Sequence, residues 1–293
     1  MTTATGARHD PAGDEPEVEV LPDAEAAAAA AASRLATALA DAVTARGRAD
    51  WATTGGSTPV PIYRFLAQPP LRDRVPWDRV HVWWGDDRVV PRDHPLSNRL
   101  PFDQVLLRVS GSAGLSGAGD DGFSGRSGDW PGVPIPESNI HGMPIDLALG
   151  RSTSEEAAAR EAAAIYGSAL RAAPLERDGD GFPILDVVLV GVGPDGHVFS
   201  VFPESPLFDT EAWVSPVPAP QHVEPHVGRV SLHPHFLTAA RLPLAVVLGG
   251  GKAAVVHDVL AGARDPRRLP AQLARRAGAV WILDEGANSQ LRA

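Results

Sequence analysis

The sequence predicts an α/β fold, with helices packed on both faces of a parallel sheet. Three observations carry that expectation. Helix-length segments alternate with short apolar runs rich in β-branched residues, plainest at 184–190 and 244–248. Such runs, apolar on both sides, are characteristic of strands buried in a parallel sheet. Polar segments follow strands at 54–58, 85–88, 191–197 and 249–252. In a Rossmann-like sheet the ligand lies beyond the carboxyl ends of the strands, so this recurrence marks a site before any motif is considered.

Composition supports a folded chain. Of 293 residues, 44% are hydrophobic and 21% charged, enough apolar material for a substantial core. Residues 1–20 are acidic and carry Gly and Pro, and are read as a disordered tail; 21–293 are read as a single α/β domain. Asp23 can cap an alanine-rich helix that Gly47 stops. A short strand over 50–53 runs into Thr54-Gly55-Gly56-Ser57-Thr58-Pro59, where Thr58 caps a helix with Pro59 in its first turn. Residues 79–84 form the next strand, rich in Val and Trp, and residues near 96–107 a helix. The Gly/Ser/Asp-rich stretch 110–134 is a flexible insertion, and its Asp120/Asp121 pair reads as solvated loop rather than metal site. Thr153 with Glu156 forms a capping box for a helix ending near Ala173. Strands over 184–190, 244–248 and 279–283 complete the pattern, with a helix after Lys252.

Several function classes are excluded or disfavoured. The net charge of −10 argues against general affinity for nucleic acid or anionic membrane. The absence of cysteine excludes disulfides, thiolate zinc sites, cysteine-ligated iron–sulfur clusters and a cysteine nucleophile. The start lacks a basic segment followed by an apolar one, as a signal peptide would need. No apolar run is read as long enough to span a bilayer. The expectation is a soluble, cytoplasmic protein, monomeric or weakly dimeric, with no nucleic acid or membrane partner.

The four polar loops have distinct chemistry. Gly55, Gly56, Ser57 and Thr58 combine close backbone approach, hydroxyls and a helix N-terminus, which suits a phosphate; no Gly-Lys-Ser/Thr follows, so this is not a Walker loop. Gly191, Gly193 and Gly196 match G-x-G-x-x-G, but Pro194 and His197 sit oddly in it and no ribose-binding acid closes a following strand. Asp195-Gly196-His197 instead presents an imidazole, which titrates near neutrality and can take and return a proton. Arg88 can hold a phosphate at two points, while Asp86 or Asp87 can orient a hydroxyl or the imidazole. Lys252 is the only lysine. In an arginine-biased chain it marks a place where a compact ammonium is needed, for a phosphate or a developing negative charge.

Taken together these residues resemble the 6-phosphogluconolactonase family, which shares its glucosamine-6-phosphate deaminase-like fold with that deaminase. The resemblance rests on four blocks: Thr54–Pro59; Trp84-Gly85-Asp86-Asp87-Arg88-Val89-Val90-Pro91 with Ser97-Asn98; Asp186 through Gly191–His197 to Phe202-Pro203; and Arg229-Val230-Ser231-Leu232 followed by Gly249–Ala253. Together they span about 20–285. The family usually has Asp-Glu-Arg at 86–88 and often Gly at 204, where this chain has Asp87 and Glu204. The resemblance implies hydrolysis of 6-phosphogluconolactone in the oxidative pentose phosphate pathway, without a cofactor or metal. It implies catalytic roles for His197, Asp86 and Asp195. His197 would deprotonate the attacking water, and Asp86 would orient the sugar or the base. Arg88, Lys252, Ser57 and Thr58 would hold the phosphate. The alternatives are a sugar-phosphate deaminase or isomerase on the same fold, a non-catalytic sugar-phosphate sensor and, from the glycine pattern alone, a nicotinamide-dependent oxidoreductase.

Overall fold

Short runs that are apolar on every side become the middle of a sheet, and the alanine-rich segments become the helices that cover it. The computed structural model describes residues 15–108 and 132–291. The chain runs through β1 (Glu17–Leu21), α1 (Ala24–Arg46), β2 (Ala49–Thr53), α2 (Pro59–Leu66), α3 (Leu71–Arg74), β3 (Val80–Trp84) and β4 (Asp86–Arg88). It continues with α4 (Arg99–Pro101), β5 (Ile140–His141), α5 (Ile145–Leu149), α6 (Glu155–Ala172) and β6 (Val187–Val190). It ends with β7 (Val214–Val217), β8 (Arg229–Leu232), α7 (His235–Ala239), β9 (Leu242–Val247), α8 (Ala253–Leu260) and β10 (Val280–Asp284).

Among the described residues a seven-stranded sheet has the order β1-β10-β9-β6-β2-β3-β5, and every pairing in it is parallel. All residues of β2, β6 and β10 are buried, as strands covered on both faces must be. From β2 the chain progresses through β3 to β5; from β6 it progresses through β9 to β10 in the opposite direction. The junction of β2 and β6 is therefore a switch point, where the crossovers diverge and open a crevice at the strand ends. The expected α/β fold is present.

Helix α1 shows how sequence sets packing. Asp23 accepts a hydrogen bond from the Ala26 amide at 2.8 Å, and Gly47 ends the helix at φ 73°, a conformation glycine adopts without penalty. Ala28, Ala32, Leu35 and Leu39 recur every three or four residues and are fully buried. They let α1 lie close against β2, β9 and β10. By length and composition alone α1 is apolar enough to cross a bilayer, which corrects the expectation that no run is long enough. In the fold its small methyl groups cover the sheet.

Other local expectations need correction. Residues 17–20 are not part of a disordered tail: they belong to β1, an edge strand beside β10, and residues 1–14 lie outside the described residues. The insertion 110–134 also lies outside them, apart from its last three positions. Ser154, not Thr153, caps α6, through the Ala157 amide at 3.2 Å. Thr58 precedes α2 but its side chain makes no capping bond. The helix expected near 96–107 is the short α4 followed by a π-type turn over Phe102–Leu106. A second, antiparallel sheet in the order β4-β8-β7 has no counterpart in the sequence reading.

Candidate active site

The loops that follow β2, β3, β6 and β9, four adjacent strands, meet at one cleft of about 560 Å³. Gly55, Gly56, Ser57, Thr58, Asp86, Arg88, His197 and Lys252 all line it. The residues singled out from the sequence thus converge, although the chain separates them widely. Asp195 is absent from the cleft wall and stands directly behind His197.

The turn after β6 aims the imidazole. Gly196 takes φ 83°, and a Cβ on Gly193 would fall 2.0 Å from His197 Nδ1, so only glycine fits there. His197 Nδ1 lies 2.5 Å from Asp195 Oδ1, which also accepts the His197 amide at 3.2 Å. Burial works against the Asp195 charge, but the His197 ring, with a further bond from His222, overrides it and holds the carboxyl far below the usual carboxylate range. Asp195 is therefore an acceptor only. In the neutral imidazole, Nδ1 must therefore carry the hydrogen and Nε2 the lone pair.

Strand alternation sorts the Asp-Asp-Arg block. Asp86 and Arg88 point into the cleft, while Asp87, between them, faces a separate cleft of about 300 Å³ with Ser97 and Arg99. Asp87 accepts the amides of Arg88 and Asn98, both at 2.8 Å. Burial pushes it up to about 7, against the pull of these amides. It orients neither imidazole nor ligand hydroxyl in the main cleft. Asp86 does not orient the imidazole either: its carboxylate accepts Ser200 Oγ at 2.6 Å and Asn98 Nδ2 at 3.1 Å. Asp195 holds the ring instead.

The cations are braced from behind. Arg88 donates through Nη1 to the Leu96 carbonyl at 2.8 Å. Lys252 donates through Nζ to the Val192 carbonyl at 2.9 Å; burial lowers its pKa, while the negative Asp195 draws it back up. The loop around Gly55 is drawn in close, since a Cβ there would meet Asn98 Oδ1 at 1.7 Å. Among the described residues, the buried Asn98 Oδ1, Arg88 Nε and Arg229 Nε find no partner.

A profile of the glucosamine-6-phosphate isomerases/6-phosphogluconolactonase family matches residues 22–282. A 6-phosphogluconolactonase of Streptomyces coelicolor is 34% identical over 284 residues, covering 95% of each chain. One of Mycobacterium tuberculosis is 32% identical over 278 residues, covering 94% of this chain and 98% of its own. The chain belongs to this family. A solved 6-phosphogluconolactonase of Trypanosoma brucei superposes with a TM-score of 0.75 at 25% identity, over 95% of this chain and 99% of that one. A monomeric glucosamine-6-phosphate deaminase, at 15% identity and TM-score 0.67, shares the fold.

Within the isomerase/lactonase family pattern, this chain's departures have structural meaning. Glu204 sits at φ 56°, a left-handed conformation that a glycine adopts without strain. Asp87 points away from the main cleft, so the shorter acid leaves the cleft lining unchanged. Asp186, part of the third block, lies at the start of β6, far along the strand from the cleft. There it accepts the Asp50 amide at 2.8 Å and pairs with Arg46 at 2.5 Å, a structural role.

Three residues not assigned from the sequence belong to the site. Arg229 on β8 is only 2% exposed, lines the cleft and stacks its guanidinium over Phe202 at 5.4 Å. Ser200 and Asn98 fix Asp86. The order Arg-Val-Ser-Leu alternates polar and apolar, which puts Arg229 and Ser231 on one face of β8, but four residues are too few to announce a strand on their own. Among the described residues, Asp178, Asp180 and His235 bring ligand atoms within 4.8 Å of one another, but none of them lines the cleft and His235 Nε2 is already paired with Asp178 at 2.5 Å.

Proposed function

We propose that the chain hydrolyses 6-phospho-D-glucono-1,5-lactone to 6-phosphogluconate, the reaction for which its relatives are named. One observation carries the reading: an imidazole held by a carboxylate at 2.5 Å opens onto the same cleft as Arg88, Arg229 and Lys252. A proton acceptor beside a cluster of cations fits a phosphorylated substrate that is attacked by water.

In this mechanism His197 Nε2 takes a proton from a water molecule as its oxygen bonds to the lactone carbonyl carbon. The carbonyl π electrons move to oxygen, giving a tetrahedral alkoxide. Asp195 steadies the imidazolium that forms. When the carbonyl re-forms, the bond to the ring oxygen breaks and that oxygen takes the proton from Nε2. The carboxylic acid product then loses its own proton to solvent. General base catalysis supplies about 10²–10⁴-fold. The cations and the Gly55–Thr58 loop hold the phosphate and so place the carbonyl near Nε2. Asp86, fixed by Asn98 and Ser200, accepts from a sugar hydroxyl.

A pH-stat assay with freshly prepared lactone, corrected for spontaneous hydrolysis, tests this. Turnover by the intact chain is expected, with a kcat loss of about 10²-fold or more in His197→Ala. Lys252→Ala is expected mainly to raise KM. A His197→Ala protein at full speed ends the proposal. Ammonia release from glucosamine 6-phosphate would point instead to the deaminase branch of the fold.

A further inference from the structure

Asp195 is held at both of its oxygens. Oδ1 faces His197; Oδ2 lies 3.1 Å from Nε2 of His222, on the loop that also contributes Val223 and Glu224 to the cleft wall. Asp195 is ionised, so the His222 nitrogen must be the donor. The edge of the His222 ring stands against Phe202, with centroids 5.4 Å apart at 77°, and the same Phe202 ring lies 4.8 Å from that of His197. The loop is braced from within: His226 Nδ1 donates to the Pro220 carbonyl at 2.6 Å, and its Nε2 lies 3.0 Å from the Glu224 carboxylate. Among the described residues, the charges of Arg229 on β8 and Lys252 before α8 also act on Asp195.

We infer that His222 is a positioning residue for the hydrolysis, acting through Asp195 to keep the carboxylate aligned with His197 Nδ1. The inference rests on the lactonase reading. A carboxylate bonded at one oxygen turns readily about its Cβ–Cγ bond, because that torsion has broad minima. A donor at the second oxygen removes this freedom. The aligned carboxylate in turn fixes the imidazole tautomer that leaves Nε2 able to accept the proton of water. Thus an exposed loop residue that does not line the cleft holds the base in its working form. Phe202, packed on both imidazoles, keeps the two rings in register with the carboxylate between them.

The test uses His222→Ala and His222→Gln in the full chain. His222 is exposed, so both variants are expected to keep the parent melting temperature. His222→Ala is expected to lower kcat by about tenfold with KM changed less than about twofold. His222→Gln, whose amide can donate to Asp195 Oδ2, is expected to recover most of the loss. The ring-nitrogen NMR signals of His197 report the same alignment without substrate. In His222→Ala they are expected to show a mixture of tautomers in place of the Nδ1–H form. Parent-like kcat and unchanged His197 signals in His222→Ala would overturn the inference, as would a loss that glutamine does not restore. If the parent chain does not hydrolyse the lactone, the lactonase reading fails on its own, and the NMR comparison still decides whether His222 aligns the pair.

Discussion

Arg88 and Arg229 stand directly opposite each other across the antiparallel pair β4–β8, both with Nε unpartnered among the described residues. Like charges in that relation are destabilising, and burial together with Arg88 lowers the Arg229 pKa despite Asp86 nearby. A bound dianion would relieve the repulsion and fill both forks. Arg229→Met is therefore expected to raise the lactone KM by about tenfold or more, with kcat changed by less than about threefold. Steady-state kinetics check this, and inorganic phosphate should lose potency as a competitive inhibitor in parallel.

Asp195→Asn tests the carboxylate behind the base. An amide can turn its NH₂ toward His197 and favour the tautomer with hydrogen on Nε2, which cannot take a proton from water. The expected kcat loss is about 10²–10⁴-fold, with substrate binding retained. A variant that keeps parent turnover would remove Asp195 from the mechanism.

Asp87 gives a stability signature with a definite sign. Its pKa is about 7 in the folded chain against about 4 when unfolded. Between those values the folded state holds a proton that the unfolded state has released, so stability falls as pH rises through this window. The contribution is fully present below about pH 4 and lost by about pH 7. Urea unfolding at pH 5 and pH 8 should show a larger loss in the parent than in Asp87→Asn. An equal loss in the two proteins would place the ordinary carboxylate range on Asp87.

Glu204→Gly should stabilise the chain. The left-handed backbone at Glu204 costs a side-chain-bearing residue about 1–2 kcal/mol, part of which glycine returns through its freer unfolded state. A net gain of about 0.5–1 kcal/mol, seen as about 1–3 °C in Tm, is expected. The bond from the residue 204 amide to the Arg267 carbonyl at 2.8 Å survives the change. A lower Tm would show that the glutamate side chain stabilises the turn by more than the backbone strain.

The legible parts of this protein are those governed by local chemistry. The glycine turn that presents His197 directly follows the apolar run Val187–Val190, and Lys252 stands out by composition alone. Asp23 and Gly47 bound α1 as caps should. The parts that escaped depend on partners distant in the chain. Strands β4, β7 and β8 have three or four residues each, too few to establish a period of two, and their existence depends on pairing with one another. Arg229 is buried through that pairing, and His222 reaches Asp195 across 27 positions. The acidic start misled for a different reason: Glu-Val-Glu-Val alternates as an edge strand does, but its neighbour β10 lies at the far end of the sequence.

That last pairing has a consequence for biosynthesis. Among the described strands, Glu17–Leu21 pair only with Val280–Asp284, so this edge strand cannot join the sheet until β10 has been made. Until β10 emerges, the nascent chain carries an unpaired segment with Val18 and Val20 awaiting their neighbour. A closure between such remote segments is a slow event, and the alternating glutamates of this strand keep the waiting segment from adhering to other strands meanwhile.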